Sequence, residues 1–244
     1  MTSIADFGYA AIDEHGNGAM NIVSFTIALT IVLELISYET VQGVLKQPDG
    51  KSLYLKALLA NLVNHVFIGI PIYVFAASVL CTTVPLTTFQ QFLAVMNVWL
   101  VHSVIYYSIH RAFHEYPRLY IRFHSFHHRF NTHVPPVSAN AVTPVEYLVA
   151  YVAPFAVTLL VKRTDAWSLR FGTTIISVCN LLVHTPKLEA LSEKWLPDWL
   201  VSTNDHLNHH RKLNTKYASP TFNIDYFVER LEQWQQQPPP TTIK

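Results

Sequence analysis

Eight histidines of this 244-residue chain fall into three clusters whose spacing favours metal binding. The clusters are HRAFH at 110–114, HSFHH at 124–128 and HLNHH at 206–210. The clustered histidines are His110, His114, His124, His127, His128, His206, His209 and His210. Residues three and four apart share one face of a helix, so each cluster can direct two or three imidazoles at one site.

Imidazole is the commonest metal-binding side chain and suits Fe, Zn, Cu and Ni. A further pair, Asn180 and His184, is also four residues apart and ends the last apolar segment. Nine histidines exceed what one ion needs, so the sequence predicts two metal ions. Few carboxylates lie nearby, and Asp205, next to His206, is expected to orient a metal-bound imidazole from behind.

The composition indicates a membrane protein. Half of the residues are hydrophobic and 14% are charged, whereas soluble domains carry about 25% charged residues. The net charge of +1 gives no indication of a nucleic-acid partner. Cys81 and Cys179 lie in apolar surroundings without CxxC spacing, so we expect buried thiols and no disulfide.

Four to five long apolar segments predict an all-α integral membrane helical bundle. They cover approximately residues 20–41, 55–81, 89–109, 141–161 and 167–183. We expect a flexible leader at 1–18, one membrane domain at 19–232 and a disordered tail at 233–244. Whether all five segments cross completely is left open.

The last two apolar segments form a hairpin, which returns the chain to the side that it left. All histidine clusters and His184 should therefore lie at one membrane face. Arg118, Arg122 and Arg129 favour the cytosol for that face, because cytosolic loops carry excess positive charge. Lys162 and Arg163, in the turn of the hairpin, oppose this orientation.

From about Val98 to Asp225 the chain resembles the membrane fatty acid hydroxylase/sterol desaturase superfamily. The three histidine boxes have its order and gaps, and NLLVHT at 180–185 resembles the segment that carries an intermediate histidine. TPVE at 143–146 is similar to its H-P-x-E motif with Thr143 in place of histidine. NTKYASPTFNID at 214–225 is similar to its N-Y-G…W-D segment, with Ala218 and Ile224 as departures.

The resemblance implies an endoplasmic-reticulum enzyme with two Fe ions and an active site that faces the cytosol. Such enzymes use O2 and two electrons to hydroxylate, oxidise or desaturate a lipid-like substrate: a sterol, fatty acyl chain, sphingoid base or terpenoid. The electrons would come from a separate protein, such as cytochrome b5 or its reductase system. The implied ligands are His110, His114, His124, His127, His128, His184, His206, His209 and His210, with Asn180 as a weaker candidate.

The alternative is a metal-binding membrane protein without redox activity: a zinc-dependent hydrolase, a transporter or an inactive scaffold. A transporter should place its ligands near mid-span, and H-E-x-x-H is absent. Three histidines lie outside the clusters but within or beside the membrane region. We interpret His65 as a hydrogen-bonded interior residue, His102 as packed and His133 as exposed or close to the metals.

Overall fold

The computed structural model describes residues 4–236, with side chains from residue 13 onwards. Within this range the chain is helical and forms no strand; an isolated bridge joins Leu200 to Phe222. The α-helices are α1 Ile4–Ile36, α2 Tyr38–Leu45, α3 Gly50–Leu62, α4 Ile70–Phe75, α5 Thr88–Glu115, α6 Pro117–Leu119, α7 Pro144–Glu146, α8 Ala153–Val161, α9 Ala166–Val183, α10 Glu189–Trp195, α11 Thr203–Lys212 and α12 Ile224–Gln235. The predicted all-α class is confirmed.

Wider and tighter helical turns connect several of these helices without a break. The π-helices are Val63–Gly69, Ala76–Leu80, Tyr120–His124 and Tyr147–Val152, and the 3-10 helices are His127–Arg129, Pro136–Asn140 and Pro186–Leu188. π-turns often mark functional sites because they shift the helical register. Here one of them carries His124 and another carries His65.

Five helical segments are long and apolar enough to cross a membrane, which indicates a multi-pass membrane protein. They are Asp13–Ile36, Gly50–Leu80, Thr88–Glu115, Pro144–Val161 and Ala166–Val183. Large apolar side chains such as Leu35, Phe67 and Leu160 are exposed along them. An apolar outer surface of this kind matches contact with lipid tails.

The hairpin formed by the last two segments reaches the same end of the bundle as the loop between the second and third. The Thr82 N–H donates to the Thr164 carbonyl at 3.0 Å, and the Gln91 amide donates to Asp165 at 2.8 Å. Asp165 also caps α9 by accepting from the Ser168 N–H. The hairpin therefore runs as far along the bundle as its neighbours, and its opposite end carries His184.

The central helix α5 packs against α8 and α9 and sets the position of the first histidine box. A capping box between Thr87 and Gln90 defines its start, which typically contributes about 1 kcal/mol. Gly172 of α9 lies against Val98, where an added Cβ would come within 2.8 Å of a valine methyl carbon. The small residue lets the two helices approach closely.

Helices extend past both expected limits of the membrane domain, and the domain boundaries themselves stay predictions. The first helix begins at Ile4, so residues 4–18 are helical where a flexible leader was expected. Helix α12 continues to Gln235, past the expected start of the tail at 233. Residues 1–3 and 237–244 lie outside the described residues.

Candidate metal centre

The histidine clusters meet at one end of the bundle and form two groups. Within each group, one potential ligand atom per residue lies within 4.8 Å of all the others. The five-histidine group contains His110, His114, His124, His128 and His209. The four-histidine group contains His127, His184, His206 and His210. All nine are buried except His114, which is half-buried.

Each of the two adjacent histidine pairs contributes one ring to each group. His127 and His128 follow one another on a 3-10 helix, where successive side chains point roughly 120° apart. His209 and His210 follow one another on α11, where the angle is roughly 100°. The doubled histidine is therefore the local feature that links the two groups.

The structure brings together all nine histidines that the sequence singled out, and it places Asn180 elsewhere. The Asn180 amide donates to the Ala139 carbonyl at 3.1 Å and to the Asn140 side chain at 3.3 Å. Its backbone carbonyl accepts from His184 Nδ1 at 2.7 Å. Asn180 thus supports a member of the four-histidine group through its backbone while its side chain serves the loop at 139–140.

His124 lies at the centre of the five-histidine group. Its Nε2 atom is 3.0 Å from the Nε2 atoms of both His110 and His114, and 2.9 Å from that of His128. In the four-histidine group His184 has the corresponding position, with its Nε2 at 2.9 Å from His206 Nε2 and 3.3 Å from His210 Nε2. In both groups one ring nitrogen of every histidine therefore lies close to the same point.

Backbone carbonyls fix the tautomer of three of these rings. His110 Nδ1 is 2.7 Å from the Tyr217 carbonyl, and His209 Nδ1 is 2.8 Å from the Thr215 carbonyl. A carbonyl only accepts, so each Nδ1 carries the proton. The same argument applies to His184 and the Asn180 carbonyl. In the neutral ring Nε2 then carries an unprotonated lone pair, and this nitrogen can bind a metal.

A buried carboxylate orients the central ring of the five-histidine group. His124 Nδ1 lies 2.6 Å from Glu146 Oε1, where an ionised carboxylate accepts the Nδ1–H, and both side chains are about 1% exposed. The sequence argument missed this role of Glu146, although the TPVE segment contains it. Thr143, which stands where the resembled motif has histidine, caps α7 by accepting from the Glu146 N–H. The first turn of α7 therefore sets the position of the Glu146 carboxylate.

The orienting role expected of Asp205 is wrong. Its carboxylate accepts from the Ser202 N–H and hydroxyl, and the two residues form a capping box at the start of α11. An acidic side chain at this position satisfies free N–H groups of the first turn. It therefore sets the start of the helix that carries the third histidine box, and its hydrogen bonds within the described residues are to Ser202 and not to an imidazole.

The loop after α11 supplies two of the supporting carbonyls, those of Thr215 and Tyr217. Asp225 at the start of α12 secures this loop, because its carboxylate accepts from the Ala218 N–H at 2.6 Å. Leu213 and Lys216 have φ values of 63° and 60°, the left-handed region that side chains disfavour. The loop holds this conformation while it supports two rings of the five-histidine group.

Burial keeps the imidazoles outside the membrane spans neutral. It lowers the pKa of His184 and of His209 to about 4, from an ordinary value of 6.5. Burial, and then the neighbouring imidazoles, lower the pKa of His124 and His206 further. Neutral imidazole is the ligand form, so the sites are prepared to bind cations.

The arrangement of donors fits a bound cation in each group. With Glu146 ionised, Nδ1 is protonated on both rings, so His110 and His124 point bare Nε2 lone pairs at one another at 3.0 Å, which is not a hydrogen bond. Two nitrogens bound to one ion at about 2.0–2.1 Å and at right angles would lie about 3 Å apart. The observed 2.9–3.3 Å spacings match this value.

A mainly apolar cavity lies among the membrane spans directly beside this centre. Tyr106 lines the cavity, and its ring centroid is 5.2 Å from that of His110. Asn180 also lines it while its carbonyl supports His184. The cavity therefore borders residues that touch both histidine groups, so an apolar molecule within it would adjoin the candidate metal centre.

The comparison with protein families agrees with this geometry. The fatty acid hydroxylase family model matches residues 95–229, which is more than half of the chain. The chain belongs to the fatty acid hydroxylase family. The searches of curated proteins and of solved structures found no match.

Membership in the fatty acid hydroxylase family accounts for the histidine boxes, and it supports a membrane-bound oxidoreductase of the hydroxylase or desaturase type. The matched region starts in α5 and ends in α12. It therefore includes every histidine of both groups, the carboxylate of Glu146 and the loop that Asp225 secures.

Proposed function

We propose that this protein is a di-iron oxygenase that hydroxylates, oxidises or desaturates a lipid-like substrate with O2 and two electrons. The observation that carries the proposal is the pair of neighbouring imidazole groups, each with ring nitrogens that converge on one point. Iron is the metal typical of the family. Two bound irons would supply the O2 chemistry that attacks an unactivated C–H bond, which side chains alone do not provide.

The chain's own residues supply binding, orientation and the exclusion of water. Carbonyls and Glu146 hold the imidazoles in their ligand tautomer. The cavity positions an apolar substrate next to Tyr106, and the surrounding spans keep bulk water away. Because the cavity lies between membrane-spanning helices, a lipid can enter it sideways from the bilayer.

We place the enzyme in the endoplasmic reticulum membrane with its metal centre at the cytosolic face, as the family resemblance implies. Arg118, Arg122 and Arg129 are exposed at the histidine end of the bundle. They favour a cytosolic location and offer a basic surface for an acidic electron donor of the cytochrome b5 type. Electrons delivered there would enter close to the half-buried His114.

The metal content per chain tests the proposal. The protein is purified in mild detergent, and its metals are measured by plasma mass spectrometry before and after iron reconstitution. We expect about two irons per chain. His128→Ala and His127→Ala, which alter different groups, should each retain about one. His133→Ala is the matched control, because this histidine belongs to neither group and should retain both irons.

The oxygenase activity is then measured as O2-dependent conversion of lipids from a membrane extract, with a chemical or protein reductant. Loss of conversion in both single variants, with the control active, supports paired irons. A wild-type protein that binds no stoichiometric metal contradicts the proposal and favours an inactive scaffold. Binding of zinc that iron reconstitution does not replace favours the non-redox alternative.

A further inference from the structure

The cavity beside the metal centre has an uncharged lining with a few polar atoms. Residues of all five membrane-spanning segments contribute to it, and within the described part of the chain none of them is Lys, Arg, Asp or Glu. A charged headgroup placed inside would lose its hydration without gaining a counter-charge. The part of a ligand that enters is therefore uncharged.

Two histidines outside both metal groups line this cavity: His65 and His102. His102 is 2% exposed, and its Nδ1 atom is buried without a hydrogen-bond partner. The Nε2 atom of His65 is likewise buried and unpartnered. Buried polar atoms nearly always have partners, because an unsatisfied one costs free energy. Two such rings in the wall of one cavity point to a ligand that brings a polar atom, with a small movement of the lining that opens the two nitrogens to it.

The surroundings of the two histidines hold both rings in place in the wall of the cavity, with these two nitrogens just behind its surface. The Tyr147 hydroxyl lies 3.5 Å from Nδ1 of His65, the nitrogen opposite the unpartnered one. His102 is stacked against Tyr106 and packs on Phe155, with ring centroids 6.0 and 4.6 Å apart. Neither ring is free to turn towards another partner without losing this packing.

Both histidines lie deep in the membrane and away from the metal ligands. His65 follows the start of α3 by 15 residues, and His102 precedes the end of α5 by 13, which places each roughly 20 Å from the histidine end of its segment. His102 also precedes the ligand His110 by eight residues, roughly 12 Å along α5. A polar group bound there is held at a distance from the metal centre.

We propose that His65 and His102 anchor a neutral oxygen, a hydroxyl or a carbonyl, of a long and otherwise apolar substrate whose reacting carbon lies remote from that oxygen. The proposal rests on the proposed function for the meaning of "substrate", but the anchoring itself is a binding property. A neutral hydroxyl can donate to one imidazole nitrogen or accept from another, so it satisfies either tautomer.

Competition binding on purified protein in nanodiscs tests the anchor without turnover. The probe is tritiated 1-octadecanol, and the unlabelled competitors are 1-octadecanol, octadecane and octadecyl sulfate, which share one chain length. We expect the alcohol to compete about tenfold better than the alkane, as one net hydrogen bond predicts, and the sulfate not to compete. Equal competition by alkane and alcohol, or strongest competition by the sulfate, overturns the proposal.

Variants locate the effect at the two rings. His65→Leu/His102→Leu should abolish the preference for the alcohol. His65→Gln/His102→Asn should restore it, because Gln and Asn place a polar atom near the positions of Nε2 and Nδ1. Tyr73→Phe is the matched control: it removes a cavity hydroxyl that has its own partner in the Ala166 carbonyl. An unchanged preference for the alcohol in the leucine variant overturns the assignment to these two rings. If that variant does not fold, the competition series on the wild-type protein decides whether a neutral oxygen is anchored.

Metal-free protein, prepared with a chelator, separates the anchor from the proposed function. The anchor predicts the same preference for the alcohol with and without metal, whereas failure of the di-iron assignment would appear only in the metal content and the O2-dependent conversion. A preference that disappears on chelation would show that the oxygen binds at the metals and would contradict an anchor at His65 and His102.

Discussion

The five-histidine and four-histidine groups differ in how their rings are supported. Three rings of the first group have a partner behind them: the Tyr217 carbonyl, the Glu146 carboxylate and the Thr215 carbonyl. In the second group the Asn180 carbonyl supports His184, and the Ser138 backbone is a hydrogen-bond partner of the His127 ring. The Nδ1 atoms of His206 and His210 are buried without partners, and in the first group His128 Nδ1 is in the same condition.

This difference indicates different tasks for the two groups. A group with five ligands and fixed ring orientations is suited to hold its ion firmly. A group with four ligands, and with freer rings, leaves more of the coordination sphere of its ion available to a ligand from outside the protein. The comparison therefore predicts that the five-histidine group binds its ion more tightly.

Acidification should have the largest effect of the changes considered, because it lowers the stability of the metal-free protein through histidines of both groups. Burial lowers the pKa of His184 and of His209 to about 4, so their neutral forms are favoured in the folded state. The unfolded chain binds more protons between pH 6.5 and 4, and stability is lost as pH falls through this window. Thermal unfolding in detergent should show a transition temperature that is constant above about pH 7 and falls below it. A transition independent of pH would contradict the burial argument.

Removal of the central imidazole of one group at a time should show how tightly each group binds its ion. His124→Ala removes the nitrogen that lies within 3.0 Å of three others, and His184→Ala removes its counterpart. Each variant should lose about one of two ions per chain. Titration with Fe²⁺ should show the surviving ion bound more tightly in His184→Ala, which keeps the five-histidine group, than in His124→Ala. The reverse order would refute the comparison.

Loss of the carboxylate of Glu146 should weaken metal binding in the five-histidine group only. Glu146→Leu removes the partner of His124, and changes of this kind cost roughly 10–100-fold in metal affinity. The ion of the four-histidine group should remain. Glu115→Leu is the control, because this carboxylate is exposed and pairs with Arg111. Equal losses in both variants would show that Glu146 acts through general stability.

The smallest effect is expected from the loop after α11. Asp225→Asn weakens the bond to the Ala218 N–H, and a charged hydrogen bond of this type contributes about 1.5–3 kcal/mol. Because the loop carries the carbonyls behind His110 and His209, metal affinity should fall less than tenfold, and only in the five-histidine group. Asp198→Asn changes a carboxylate outside this loop and serves as the control for the measurement of metal affinity.

The sequence was sufficient to predict the helical membrane architecture and to single out the nine histidines, because both depend on periodicity and spacing. It did not predict which ring of each pair joins which group, since that depends on how the three boxes pack against one another. His127 and His128 separate because a 3-10 helix turns them apart. The sequence also did not predict the roles of Glu146 and Asp205. The role of Glu146 depends on a contact with a residue 22 positions away, and the role of Asp205 depends on where α11 begins.

The adjacent histidines of HSFHH and HLNHH have a consequence for how the protein can change over evolutionary time. One neighbour of each pair serves one ion and the other neighbour serves the second. Insertion or deletion of a single residue ahead of either pair would rotate both rings together and damage both sites in one step. An insertion or deletion at these positions therefore affects both ions together, whereas a substitution of one histidine affects one.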